Sequence, residues 1–271
     1  MTSPSDPFAA VGNLPGVPEA VGEARGAIDR LLGHRVLRRR GPDVAAESAL
    51  RGARASAALE GADWPLEEIR RRTSFGNDPD GWTVQGALRV STELGGLVGT
   101  WRRAPLQVLA RLHVVAAADV VEADWLGRPR GAADDVVDPF HLDPPPPGDE
   151  VTVRLDGLAR LLVGETAAPA IVVAAIAHGE LLALRPFVWG NGLVARAAER
   201  LVLVSRGLDP KAVSSPEVGH ADGGRPAYRD AVRQYLTGTP EGVAAWVVHC
   251  AHAVALGARE GIAVCEALQR G

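Results

Sequence analysis

The sequence predicts an all-α fold, and three observations carry that expectation. Apolar residues recur at helical spacing along most of the chain, as in Ile28, Leu31, Leu32 and Val36. No segment of useful length alternates apolar and polar residues with a period of two, and no internal repeat is found. Residues 168–184 are apolar nearly all round (Ile171, Val172, Val173, Ile176, Leu181, Leu182, Leu184), as expected of a helix at the centre of a domain.

Taken in order, residues 1–18 hold Pro4, Pro7, Pro15 and Pro18 and read as a flexible N-terminal tail. Residues 21–37 have helical spacing and run into the basic cluster 35–40. That cluster is short and lacks interleaved aromatics, so a solvated face is the reading preferred over a nucleic-acid or acidic-partner contact. Asp43 is a fair N-cap for a helix reaching about residue 59, closed by Gly61 and Pro65. Two further helices are expected at 82–97 and 105–121. Residues 127–148 contain Pro139 and the run Pro144 to Pro147, so they make a surface excursion, with room for one small hairpin. Helices at 151–162, 168–184, 193–205, 228–236 and 240–269 complete the chain.

Composition narrows the function classes. A chain of 271 residues with 46% hydrophobic content can bury a sizeable core. Its 29 basic and 33 acidic residues give a charge of −4, so no global basic field recruits nucleic acid. Two cysteines, Cys250 and Cys265, are too few for a disulfide framework and read as reduced, buried thiols. Residues 1–16 lack the pattern of a signal peptide, and no run of about twenty apolar residues is free of charge. A cytoplasmic protein with no membrane partner is expected. Lys211 is the only lysine, so arginine is a habit of the whole chain and a single arginine is weak evidence of phosphate binding.

The stretch that carries chemistry is Arg185-Pro186-Phe187-Val188-Trp189-Gly190-Asn191-Gly192-Leu193-Val194-Ala195-Arg196. A glycine-flanked turn opening a helix points free N–H groups and the positive dipole end at one spot, which makes an anion cradle. This stretch resembles the Fic-domain motif H-x-F-x-[DE]-G-N-G-R-x-x-R, whose family mostly transfers AMP from ATP to a protein hydroxyl. Pro186, Phe187, Gly190, Asn191, Gly192 and Arg196 match it in unbroken register. Arg185 stands at the position of the histidine base, Trp189 at that of the magnesium-binding acid, and Leu193 at that of the first arginine.

The resemblance extends over about residues 80–265. Leu112-His113, Gly127-Arg128-Pro129-Arg130, Phe140, His178, Tyr228 and Trp246 follow the family's order of elements. Upstream, Ser56-Ala57-Ala58-Leu59-Glu60-Gly61 is similar to the family's inhibitory motif [ST]-x-x-x-E-[GN]. Ser56 and Glu60 are four apart and share a helix face. The resemblance implies that Glu60 pairs with Arg196 and obstructs the γ-phosphate of ATP. It also implies a Fic fold: a multi-helix bundle with a small β-hairpin flap, which in the family presents a strand edge to a protein target. The excursion here looks shorter than the family's flap. The implied organisation is a tail at 1–18, an N-terminal helical region with the inhibitory helix at 19–79, and a Fic-like core at 80–271.

AMP transfer requires a base, a clamp on the α-phosphate and a metal. A guanidinium does not act as a base near neutral pH, and indole offers magnesium no oxygen. The expected molecule is therefore a degenerate Fic protein, a pseudoenzyme without AMP transfer, that keeps a phosphate or nucleotide loop at Gly190, Asn191, Gly192 and Arg196. The alternative is an active Fic-type transferase moving AMP, another phosphorylated group or a sugar onto protein hydroxyls. The implied cofactor is ATP or another nucleotide held without Mg2+, with no metal ligand assigned. A protein partner at the flap and a homodimer are further implications of the resemblance, though no pairing patch is visible.

Other residues leave alternatives open. Arg185 either clamps a phosphate or packs against a carboxylate such as Glu60, and Trp189 either stacks on a base or packs against the flap. His178 lies about 10 Å from Arg185 along a helix at 1.5 Å per residue, and reads as a hydrogen-bonded core residue. His141 lies nearer the loop with nothing to orient it. His249 and His252, three apart on a helix, make at most half a metal site.

Overall fold

A computed structural model of the chain describes residues 6–270, and among these residues there are twelve α-helices and no β-strand. In chain order they are α1 (Pro7–Gly12), α2 (Val17–Leu32), α3 (Leu37–Glu60), α4 (Leu66–Arg71), α5 (Pro79–Trp101), α6 (Pro105–Ala117), α7 (Gly148–Val163), α8 (Ala170–Leu184), α9 (Asn191–Ser205), α10 (Pro216–Ala221), α11 (Gly224–Leu236) and α12 (Pro240–Arg270). The all-α expectation holds.

The apolar helix α8 lies at the centre, packed on α9, α12, α7 and α11. Twelve of its fifteen residues are buried, so it has no solvent face to demand polar side chains. Helix α9 lies between α8 on one side and α5 and α6 on the other. The long α12 is apolar enough to cross a membrane by length and composition, but its apolar residues pack against α2, α8, α10 and α11. One hydrophobic core runs from Phe8 to Cys265 and joins the N-terminal helices to the rest.

Several boundaries differ from those the sequence suggested. Residues 6–18 are not a loose tail: Asp6 caps α1 through the Ala9 N–H at 3.1 Å, and Phe8 and Val17 are buried. The Asp6 carboxylate also accepts from the Thr166 hydroxyl and the Ala167 N–H, tying this end to the turn before α8. Residues 1–5 lie outside the described residues. Helix α3 starts at Leu37 rather than at Asp43 and kinks at Arg40 (φ −121°, ψ 24°), because Pro42 has no N–H to give the preceding turn. In the basic cluster, Arg40 donates to the Leu268 carbonyl at 2.8 Å, placing a cation at the C-terminal end of α12.

The expected hairpin flap is absent. Residues 127–147 follow a 3-10 turn at Ala123–Trp125 and are irregular backbone with no strand. Five prolines at 139 and 144–147 remove ladder donors, and Asp138 takes two more. Its carboxylate accepts from the Phe140 N–H at 2.9 Å and the Leu142 N–H at 2.8 Å, a local bonding pattern that competes with strand pairing. Two backbone bonds seat the excursion on the motif loop: Arg130 N–H to Pro186 O (2.8 Å) and Val137 N–H to Val188 O (2.9 Å).

Candidate functional site: a closed anion cradle

The turn between α8 and α9 is built by its own side chains. Gly190 takes φ +73°, a left-handed conformation that glycine adopts at no steric cost, and turns the chain into α9. Asn191, buried, clamps the turn at both ends of Phe187. Its amide donates to Phe187 O at 2.7 Å and its oxygen accepts from Phe187 N–H at 2.9 Å. The side chain of Asn191 therefore shapes the cradle. Arg130 braces the entry, donating to Arg185 O (2.8 Å), Leu184 O (3.1 Å) and Pro146 O (2.6 Å).

The first-turn N–H groups of α9 have no acceptor within the helix. Over them lies Glu60, projecting from the last turn of α3. A β-carbon at position 192 would overlap the Glu60 carboxylate and lie 3.0 Å from an Arg196 guanidinium nitrogen, so the bare glycine makes room for the acid. Arg196, 1% exposed, donates to Glu60 Oε1 at 2.6 Å; the Glu60 side chain is 8% exposed. Ser56 completes the grip, its hydroxyl accepting from Arg196 Nε at 2.8 Å and its carbonyl from Nη2 at 3.1 Å. Tyr228 OH accepts from Arg196 Nη1 at 3.3 Å. A carboxylate thus sits at a positive helix terminus and pairs with a buried guanidinium.

Sequence reasoning placed Ser56, Glu60, Gly190, Gly192 and Arg196 in one site, and the structure brings them together. Arg185 faces elsewhere. It is the last turn's left-handed residue (φ +42°) and its side chain, 4% exposed, pairs with Asp138 at 2.7 Å and donates to Asp143 O at 2.5 Å. The carboxylate it packs against is therefore Asp138, not Glu60. Burial presses this guanidinium below its ordinary range while Asp138 pulls the other way. Leu193 is buried in the core and Trp189 is half-buried against it. His141 is exposed with φ +49°, and His252 is exposed, so the pair 249/252 does not converge.

Arg225 escaped the sequence, and His113 was marked there without a role. Arg225 donates to Leu59 O (2.9 Å) and Pro139 O (3.0 Å), linking the end of α3 to the excursion. His113 stacks on Phe187 (centroids 4.2 Å, planes 7° apart) and accepts from the Gly127 N–H at 2.9 Å. Burial lowers His113 from 6.5 to about 4, so it is neutral and accepting in the fold. The unfolded chain takes this proton near pH 6.5 while the folded chain resists until about 4, so this contribution is complete above pH 6.5 and is lost as pH falls. Between pH 7 and 4 the loss from this group is about 3 kcal/mol. Denaturant unfolding across that range is expected to show a shallower pH slope in His113→Phe than in the parent chain. Equal slopes would refute the assignment.

Magnesium does not fit the residues present. Trp189 has no oxygen to offer, and both oxygens of Asp138 are taken by backbone N–H groups and Arg185.

No protein-family model matches the chain, and no curated protein matches its sequence. Solved structures do. A Fic family protein from Desulfovibrio desulfuricans G20 superposes with a TM-score of 0.70 at 21% identity, over 90% of this chain and 74% of that one. Fic-1 from C. elegans gives 0.70 at 18% identity, over 92% and 73%. A Fic domain containing signaling protein from Bacteroides thetaiotaomicron VPI-5482 gives 0.64 at 14% identity, over 92% and 97%.

Proposed function

We propose that this chain, which has the Fic-domain fold, is a metal-independent anion- or nucleotide-binding protein without AMP-transferase activity, held closed by Glu60. The observation that carries the reading is the buried Glu60–Arg196 pair over Gly192. A lock of this geometry is useful only where the cradle beneath it can hold something else. Arg185, tied to Asp138, supplies no proton acceptor at the position of the family's base. Losing a general base and a metal together removes several powers of ten in rate.

The function follows from what remains. With Glu60 displaced, Arg196 and the α9 terminus present charge-assisted donors to a phosphate. The protein would then report nucleotide level to a partner or sequester the ligand, with the excursion 127–147 as the nearby docking surface. A cytoplasmic location belongs to the same proposal.

The test is incubation of the parent chain and Glu60→Gly with ATP, other nucleotides and nucleotide sugars, followed by intact mass measurement. No adduct is expected in either. An adduct abolished by Asn191→Ala would establish the alternative, a transferase with altered chemistry. Restoring Arg185→His, Trp189→Asp and Leu193→Arg in the Glu60→Gly background asks whether the scaffold can still support transfer of AMP to itself.

A further inference from the structure

Behind the cradle, four helices each send one metal-ligand side chain to a single buried point. His178 comes from α8, Glu199 from α9, His220 from α10 and Cys250 from α12; all four are buried, and their ligand atoms lie within 4.8 Å of one another. His178 Nδ1 and His220 Nε2 both lie 2.8 Å from the same oxygen, Glu199 Oε2. Both imidazoles crowd onto one oxygen of Glu199, and the other, Oε1, is fully buried without a hydrogen-bond partner. An orphaned carboxylate oxygen is expensive in a core, unless a further group satisfies it.

We propose that His178, Glu199, His220 and Cys250 form a structural zinc site. The donor set is right for zinc, which takes thiolate, imidazole and carboxylate in tetrahedral geometry. Charge balance favours it as well. Two neutral imidazoles, one carboxylate and one thiolate around Zn2+ sum to zero, the least costly way to bury a divalent cation. Cys250 would enter as its thiol and release one proton to solvent as the zinc–sulfur bond forms.

The outer contacts already orient the ligands. His178 Nε2 lies 2.7 Å from Tyr228 OH, leaving Nδ1 inward, and His220 Nδ1 lies 3.1 Å from His249 Nε2, leaving Nε2 inward. Ligand atoms around a tetrahedral zinc sit about 3.3 Å apart or more, so the two 2.8 Å contacts open by about half an ångström on binding. One ion would staple α8, α9, α10 and α12, and through Tyr228 it would steady Arg196 in the cradle.

The experiment uses the full chain, expressed with zinc available and desalted, with metal measured by plasma mass spectrometry. About one zinc per chain is expected, falling at least tenfold in Glu199→Gln and in Cys250→Ser. Because a core substitution can unfold the chain, the parent protein is also stripped with a chelator. Its melting temperature is expected to drop and to recover with Zn2+ but not Mg2+. Refilling with Co2+ is expected to give thiolate-to-cobalt charge-transfer absorption. A parent chain that holds no zinc and gains no stability from added Zn2+ overturns the proposal and leaves a hydrogen-bonded cluster in its place. Cobalt bands without the thiolate transition overturn it too, since Cys250 would then not be a ligand.

Discussion

Glu60→Gly is expected to lower the melting temperature of the free protein and to regain most of the loss when a polyphosphate is added. The substitution strips a 1%-exposed guanidinium of its only carboxylate among the described residues. Breaking a buried pair from one side costs about 3 kcal/mol or more, on the order of 10 °C for a chain of this size. Ser56 and Tyr228 still bind Arg196, which places the cost at the lower end of that range. Glu60 is the last residue of α3, directly before the Gly61 cap, so little helix is lost with it. A polyphosphate entering the vacated cradle would meet Arg196 and the α9 terminus together. Saturation at one hundred times its dissociation constant adds about 2.7 kcal/mol. Thermal unfolding with and without tripolyphosphate reads both effects. A variant as stable as the parent, or one that polyphosphate leaves unchanged, contradicts this account of the site.

Asp138→Ala is the second large effect. Among the described residues, Asp138 is the only carboxylate paired with Arg185, whose side chain is 4% exposed and whose Nε already lacks a partner. The same carboxylate holds the Phe140 and Leu142 N–H groups. Its loss leaves a buried cation unpaired and two backbone donors to solvent, costing about 3–5 kcal/mol. The damage should be local before it is global. Hydrogen exchange is expected to accelerate at Phe140 and Leu142, while the α8 and α9 amides keep their protection. Unchanged exchange at those two amides would show that Asp138 does not hold the excursion.

Much of the fold was legible because helical periodicity is a local signal. Residues 170–184 and 240–270 were found almost to their ends, and the helix at 105–117 from its start though four residues too long, since apolar helices show their spacing whatever they pack against. Short helices were not: α1, α4 and α10 have six residues each, too few for a period to repeat twice. The flap was expected as a hairpin from resemblance. Its prolines and Asp138 decided otherwise, and the competing side-chain bonds of Asp138 leave no mark on hydrophobic pattern.

The site divides the same way. Ser56, Glu60, Gly190, Gly192 and Arg196 sit in two short, ordered patterns, so their meeting could be expected before the geometry was known. The partner of Arg185 could not. It lies 47 residues upstream in irregular backbone, where no spacing rule connects the two. The His178, Glu199, His220 and Cys250 cluster was invisible for a related reason. One ligand per helix, spread over 72 residues, has none of the short-range spacing by which metal sites are read from sequence.

Calorimetric titration of metal-free ATP into the parent chain and into Glu60→Gly tests most directly whether an anion cradle survives beneath its own plug. Measurable binding is expected only after Glu60 is removed, at least tenfold tighter than in the parent and the same with or without added Mg2+. Equal affinity in the two proteins, or binding that appears only with Mg2+, would mean that Glu60 is not occupying a phosphate's place.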